Sequence, residues 1–62
     1  MDIQEFERKV KDWVNEYELI NETVEIKYDK NNNNYYAALV SPEGWNRGIL
    51  YIDEDDNIQL SN

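Results

Sequence analysis

Fourteen of the 62 residues are Asp or Glu, and there is no histidine and no cysteine. Whatever chemistry the chain performs must therefore come from carboxylates, hydroxyls, amides and aromatic rings. Without cysteine there is no thiol nucleophile, disulfide or thiolate metal site, and without histidine there is no imidazole base or ligand. Asp53, Asp55 and Asn57 alternate like the first three ligands of a calcium loop. That loop needs glycine at its sixth position and glutamate at its twelfth. Here the sixth position is Ile58 and the given sequence stops before the twelfth. A solvated turn is the better reading of this stretch, and no metal or other cofactor is expected.

The remaining nucleophile patterns are equally incomplete. Ser41, Ser61 and Thr23 have no histidine to activate them. Gly44 and Gly48 are separated by Trp45, Asn46 and Arg47 and lack the GK[ST] of a phosphate loop. Carboxylate pairs can be drawn among the acids, but none stands in an apolar setting that would raise a pKa for acid catalysis. These gaps point away from an enzyme.

Recognition chemistry is better represented. Trp, Tyr and Arg carry most binding energy at protein interfaces, and the loop SPEGWNRG at residues 41–48 supplies Trp45 and Arg47. Tyr35, Tyr36 and Tyr51 lie on the apolar runs at either side of it. These five are the candidate partner-binding residues. For Trp45 alone, the plainer expectation is that the ring folds back over the edge of a small core.

Positioning these residues falls to five elements. Ile3, Phe6, Val10, Trp13, Val14, Tyr17 and Ile20 form one helical stripe. The stripe predicts a helix over residues 2–20, with Asp2 as N-cap, Glu5 completing a capping box, Met1 and Phe6 as a staple, and Asn21 as the left-handed stop. Glu5 with Lys9 and Glu7 with Lys11 are spaced for ion pairs along it. TVEIKYD, residues 23–29, alternates apolar and polar and reads as a strand with one buried face. DKNNNN is a turn, because asparagine tolerates left-handed backbone and bonds its own main chain.

Residues 35–41 and 48–53 then form a hairpin around the loop, DEDDN a second turn, and residues 58–60 a short last strand. The fold class is α+β, in one domain over residues 1–62. An N-terminal amphipathic helix packs on one face of a three- or four-stranded antiparallel sheet.

The central hairpin carries the useful asymmetry. Its strands are apolar on both faces, whereas one helix covers only one. Either Tyr36, Ala38 and Val40 or Tyr35, Ala37 and Leu39 must face away from the helix. On the next strand the choice is Ile49 and Tyr51 or Leu50 and Ile52. A contiguous apolar area of that kind marks an interface, unless tyrosine and alanine simply sit on a wet sheet face.

Net charge is −8, which disfavours direct binding to nucleic acid or anionic membrane and steers toward a basic partner. Solubility alone is the bland account of that charge. No apolar run reaches signal-peptide or membrane-span length. Met1 runs straight into the helical pattern, so a complete cytoplasmic protein is the expectation.

The functional expectation is a small acidic, non-enzymatic protein-interaction module. It would serve as an inhibitor, an adaptor or a self-associating domain, with another protein or its own copy as partner. One alternative is an acidic nucleic-acid mimic of the kind that phage-encoded inhibitors of DNA-binding proteins use. That would need Glu16, Glu18, Glu22, Glu25, Asp53, Glu54, Asp55 and Asp56 aligned on one surface. A second alternative is a small ligand-binding domain using the aromatic sheet face.

Overall fold

The structure is a computed structural model that describes residues 2–61. One helix, α1 (Ile3–Glu16), precedes four strands, β1 (Thr23–Asp29), β2 (Asn34–Val40), β3 (Asn46–Ile52) and β4 (Ile58–Ser61). The strands form a single antiparallel sheet in the order β1-β2-β3-β4. This meander, in which each strand pairs with its sequence neighbour, is the α+β arrangement the sequence predicts, with the fourth strand present. No helix among the described residues is long and apolar enough to cross a membrane.

α1 starts as its sequence directs. The Asp2 carboxylate accepts a hydrogen bond from the Glu5 backbone N–H at 2.8 Å, satisfying one of the orphan donors of the first turn. The proposed staple to Met1 lies outside the described residues. Phe6, Val10 and Val14 recur every four residues and are buried, while Trp13 is half-buried against the same cluster.

The helix ends earlier than its apolar stripe suggests. The Leu19 N–H bonds to the Val14 carbonyl at 2.9 Å and the Glu18 N–H to the Asn15 carbonyl at 3.2 Å. Glu18 takes φ +57° between them. This pair of bonds is a Schellman motif, with Glu18 rather than Asn21 as the left-handed residue. Its hydrophobic latch is Leu19, which packs on the core in place of the next stripe positions. Tyr17 and Ile20 are consequently exposed, as is Ile3 at the other end.

Of the two spaced ion pairs of the helix, the one at Lys9 gives way to a tertiary contact. Lys9 reaches the turn before β4, where its ammonium lies 2.8 Å from the Asp56 carboxylate and 3.0 Å from the Asp56 carbonyl.

Cross-strand register decides which side chains share a face. Ala37 lies opposite Ile26 and Leu50, Leu39 opposite Val24, and Leu50 opposite Leu60. Ala37, Leu39 and Leu50 are fully buried beneath Phe6, Val10 and Val14. A leucine or phenylalanine so placed contributes roughly 1.5–3 kcal/mol relative to exposure. Tyr35 belongs to this inner face. It stacks on Phe6 with ring centroids 6.1 Å apart and meets Tyr28 edge-on at 5.1 Å.

The two later hairpins close with the same device. In the first, the Ser41 N–H bonds to the Trp45 carbonyl, Gly44 N–H to the Ser41 carbonyl, and Trp45 N–H to the Ser41 hydroxyl. In the second, the Asp53 N–H bonds to the Asn57 carbonyl, Asp56 N–H to the Asp53 carbonyl, and Asn57 N–H to the Asp53 carboxylate. The left-handed position is Gly44, at φ +93°, in one and Asp56, at φ +66°, in the other.

Candidate interaction surface

The outer sheet face is the one turned away from α1. Because alternate residues on a strand point to opposite sides, it carries Tyr36, Ala38 and Val40 of β2 with Ile49 and Tyr51 of β3. Ala38 stands opposite Ile49 in the register. Ala38 is buried by its neighbours, Tyr36 and Val40 are half-buried, and Ile49 and Tyr51 keep 41% and 40% of their surface exposed. Among the described residues no other element lies over this face, and β4 continues the sheet beside β3 instead of folding across it.

Polar side chains border the apolar centre. β1 contributes Glu25, Lys27 and Asp29 on one side, and β4 contributes Gln59, opposite Tyr51, and Ser61, opposite Ile49, on the other. Gln59 donates its amide to the Asp53 carboxylate at 2.7 Å, which brings Asp53 to the same border. Three carboxylates and one ammonium therefore rim a patch built on two tyrosines and two branched aliphatics.

The Asp53 carboxylate lies below its ordinary pKa. The largest cause is the Asn57 backbone N–H, followed by the Gln59 amide, with the Asp55 N–H adding a smaller effect. Those same donors occupy the oxygens that the sequence places first in a calcium-like series. Among the described residues, no group of three or more Asp and Glu side chains is arranged to hold a metal ion.

The structure divides the five candidate residues. It brings Tyr36 and Tyr51 together on the outer face, while Tyr35 belongs to the core side beneath Phe6. Trp45 does not fold back over the core edge: it is 73% exposed at the hairpin tip. Its backbone N–H and carbonyl are both held by Ser41, which is itself buried.

Arg47 is engaged within the chain. Leu39 pairs with Gly48 and Val40 with Asn46, so Arg47 is the extra residue of a β-bulge. Its guanidinium Nε meets the Glu22 carboxylate, whose side chain is only 4% exposed. In the sequence Glu22 is one acid among fourteen. Its partner lies 25 positions further along, and no local pattern links the two.

The eight acids that a nucleic-acid mimic would need do not form one array. Glu22 is withdrawn into its pair with Arg47 at the end of the sheet where β1 begins. Asp53 and its three acidic neighbours join β3 to β4 at the opposite end, and Asp56 is bound to Lys9. For the ligand-binding alternative, an aromatic groove runs round the strand ends, lined by Tyr28, Tyr35, Tyr36, Tyr51 and Asn32. No family model, no curated protein and no solved structure matches this chain.

Proposed function

We propose that this protein is a non-enzymatic, cytoplasmic protein-interaction module, an inhibitor or adaptor, that binds a basic protein through its outer sheet face. The observation that supports this reading is the uncovered patch of Tyr36, Ala38, Val40, Ile49 and Tyr51. Contiguous apolar area left open on a small domain is characteristic of interfaces. Tyrosine is favoured there because its ring buries a large area with little entropy to lose.

Charge selects the partner. Glu25, Asp29 and Asp53 on the rim, within a chain of net charge −8, would repel acidic surfaces and attract basic ones. Such rim charges act mainly on association rate and specificity, while the apolar centre sets residence time. Trp45 stands at the tip of the hairpin that carries the patch and is free to extend the contact.

The test compares affinity capture by the native chain with capture by an Ile49→Ser/Tyr51→Ser variant, each first shown to be folded by circular dichroism. The expected result is a basic protein retained by the native chain, lost by the variant, and released as salt rises from about 0.1 M to 1 M. Equal capture by both chains, or retention indifferent to salt, would refute the reading.

A further inference from the structure

A second surface, separate from the outer face, is the free edge of β1. β1 is seven residues long, contains neither proline nor a bulge, and pairs only with β2. Its other edge presents unpaired backbone donors and acceptors, a template for another strand. The opposite edge of the sheet, β4, is four residues long.

The side chains of β1 say which strand fits. In an antiparallel pair related by a two-fold axis normal to the sheet, facing residues lie on the same side. The register can therefore shift only in steps of two. Centred on Ile26, it sets Glu25 against Lys27 of the other copy and Lys27 against Glu25, with Val24 facing Tyr28 and Ile26 facing itself. A shift one way opposes Glu25 to its own copy. A shift the other way opposes Lys27 to its own copy and Glu25 to Asp29. Directly opposed like charges are destabilising and opposed unlike charges favourable, so of the registers that pair at least five residues of β1, only the Ile26-centred one, which pairs all seven, is free of like-charge pairs.

An independent feature agrees. α1 packs toward β2 and β4, leaving an open groove between itself and β1, lined by Val10, Val14, Val24 and Ile26 with Glu7 and Lys11 at its rim. The same two-fold axis keeps both helices on one side of the joined sheet. The groove of each copy then faces that of the other, and the half-buried Val24 and Ile26 and the exposed Tyr28 become internal.

We infer that the chain forms a symmetric homodimer by antiparallel pairing of β1 with β1, centred on Ile26, giving a continuous eight-stranded sheet. The occupant of the edge is a second copy because the strand is self-complementary in charge only with itself reversed. Lys27, which would blunt the edge toward an unrelated strand, has Glu25 waiting for it on its own kind. Net repulsion between two acidic chains is screened beyond about 8 Å at 0.15 M salt, whereas directly opposed charges about 5 Å apart still interact.

The experiment reverses these charges one at a time. Glu25 and Lys27 are exposed on the outer face, so neither change disturbs the core. Native chain, Glu25→Lys and Lys27→Glu are each followed by sedimentation equilibrium at 0.15 M salt, up to about 1 mM protein. The native chain is expected to dimerise. Each variant alone faces two like-charge pairs, and its dimer should weaken at least about tenfold. An equimolar mixture of the two variants restores both unlike pairs and should recover a heterodimer of near-native affinity. The Ile49→Ser/Tyr51→Ser variant should dimerise normally, which separates this surface from the docking face. A native chain that stays monomeric throughout, variants that dimerise as well as native, or a mixture that fails to recover would each overturn the inference.

Discussion

Replacing Arg47 with alanine is the sharpest probe of how the hairpin is tied to the rest of the molecule. The Arg47 side chain is 51% exposed, but the Glu22 side chain it meets is 4% exposed. Removing the cation strands a carboxylate one of whose oxygens is buried with no hydrogen-bond partner among the described residues. A fully enclosed pair broken in this way loses about 3–5 kcal/mol. Here water already reaches the arginine, and the glutamate side chain can swing outward at the cost of its local packing. The expected loss is therefore about 2 kcal/mol, in the range for a buried polar group left unpaired.

For a domain of this size that is a fall in Tm of roughly 8–16 °C. A domain of this length has only about 3–9 kcal/mol of total stability, so such a shift is large. Thermal unfolding followed by far-ultraviolet circular dichroism measures it. The diagnostic step is to add Glu22→Gln to Arg47→Ala. Neutralising the stranded carboxylate should return at least half of the loss, although it restores no native contact. An Arg47→Ala change below about 0.5 kcal/mol, the range of ordinary surface substitutions, would refute the reasoning. So would a double variant no more stable than the single one.

Two further outcomes are expected. Glu18→Gly should stabilise the chain by roughly 0.5–1 kcal/mol, because φ +57° suits glycine and the change removes a negative charge from the helix C-terminus; in a helix continuing to Ile20, the same change would destabilise by a similar amount, so denaturant titration reads the position of the helix end from the sign. Asp53, whose carboxyl is depressed in the folded state by the Asn57 and Gln59 donors, contributes stability that is fully present above the unfolded aspartate value of about 4 and is lost as pH falls through the lower folded value. Stability measured downward from pH 6 should therefore decline more steeply in the native chain than in Asp53→Asn, and parallel curves would contradict the assignment.

Much of the architecture is written locally. The 3.6-residue recurrence of Phe6, Val10 and Val14 specifies a helix with one buried side, and the two-residue alternation of Val24, Ile26 and Tyr28 specifies a half-covered strand. β1 occupies the residues its alternation marks, and the turns fall where Gly, Asn and Asp cluster. Periodicity of this kind is legible because it depends only on backbone geometry. The same logic announces that the central strands are apolar on both sides, though not which side the helix takes.

Those choices required the folded chain. The stripe through Tyr17 and Ile20 is as periodic as the part before it, yet the helix stops at Glu16 because Leu19 reaches the core through a left-handed Glu18. Ala37, Leu39 and Leu50 are inside and Tyr36, Ile49 and Tyr51 outside because Phe6, Val10 and Val14 pack on the side of the hairpin that Ala37, Leu39 and Leu50 share. Trp45 points outward from a turn in which Ser41 holds both of its backbone groups, while Lys9 and Arg47 bind acids 47 and 25 residues away. Sequence alone determined the elements, their order and the surplus of apolar surface. Tertiary structure decided where the surplus lies and which charges are already taken, because packing and ion pairing depend on distances between residues that the chain separates widely and only folding brings together.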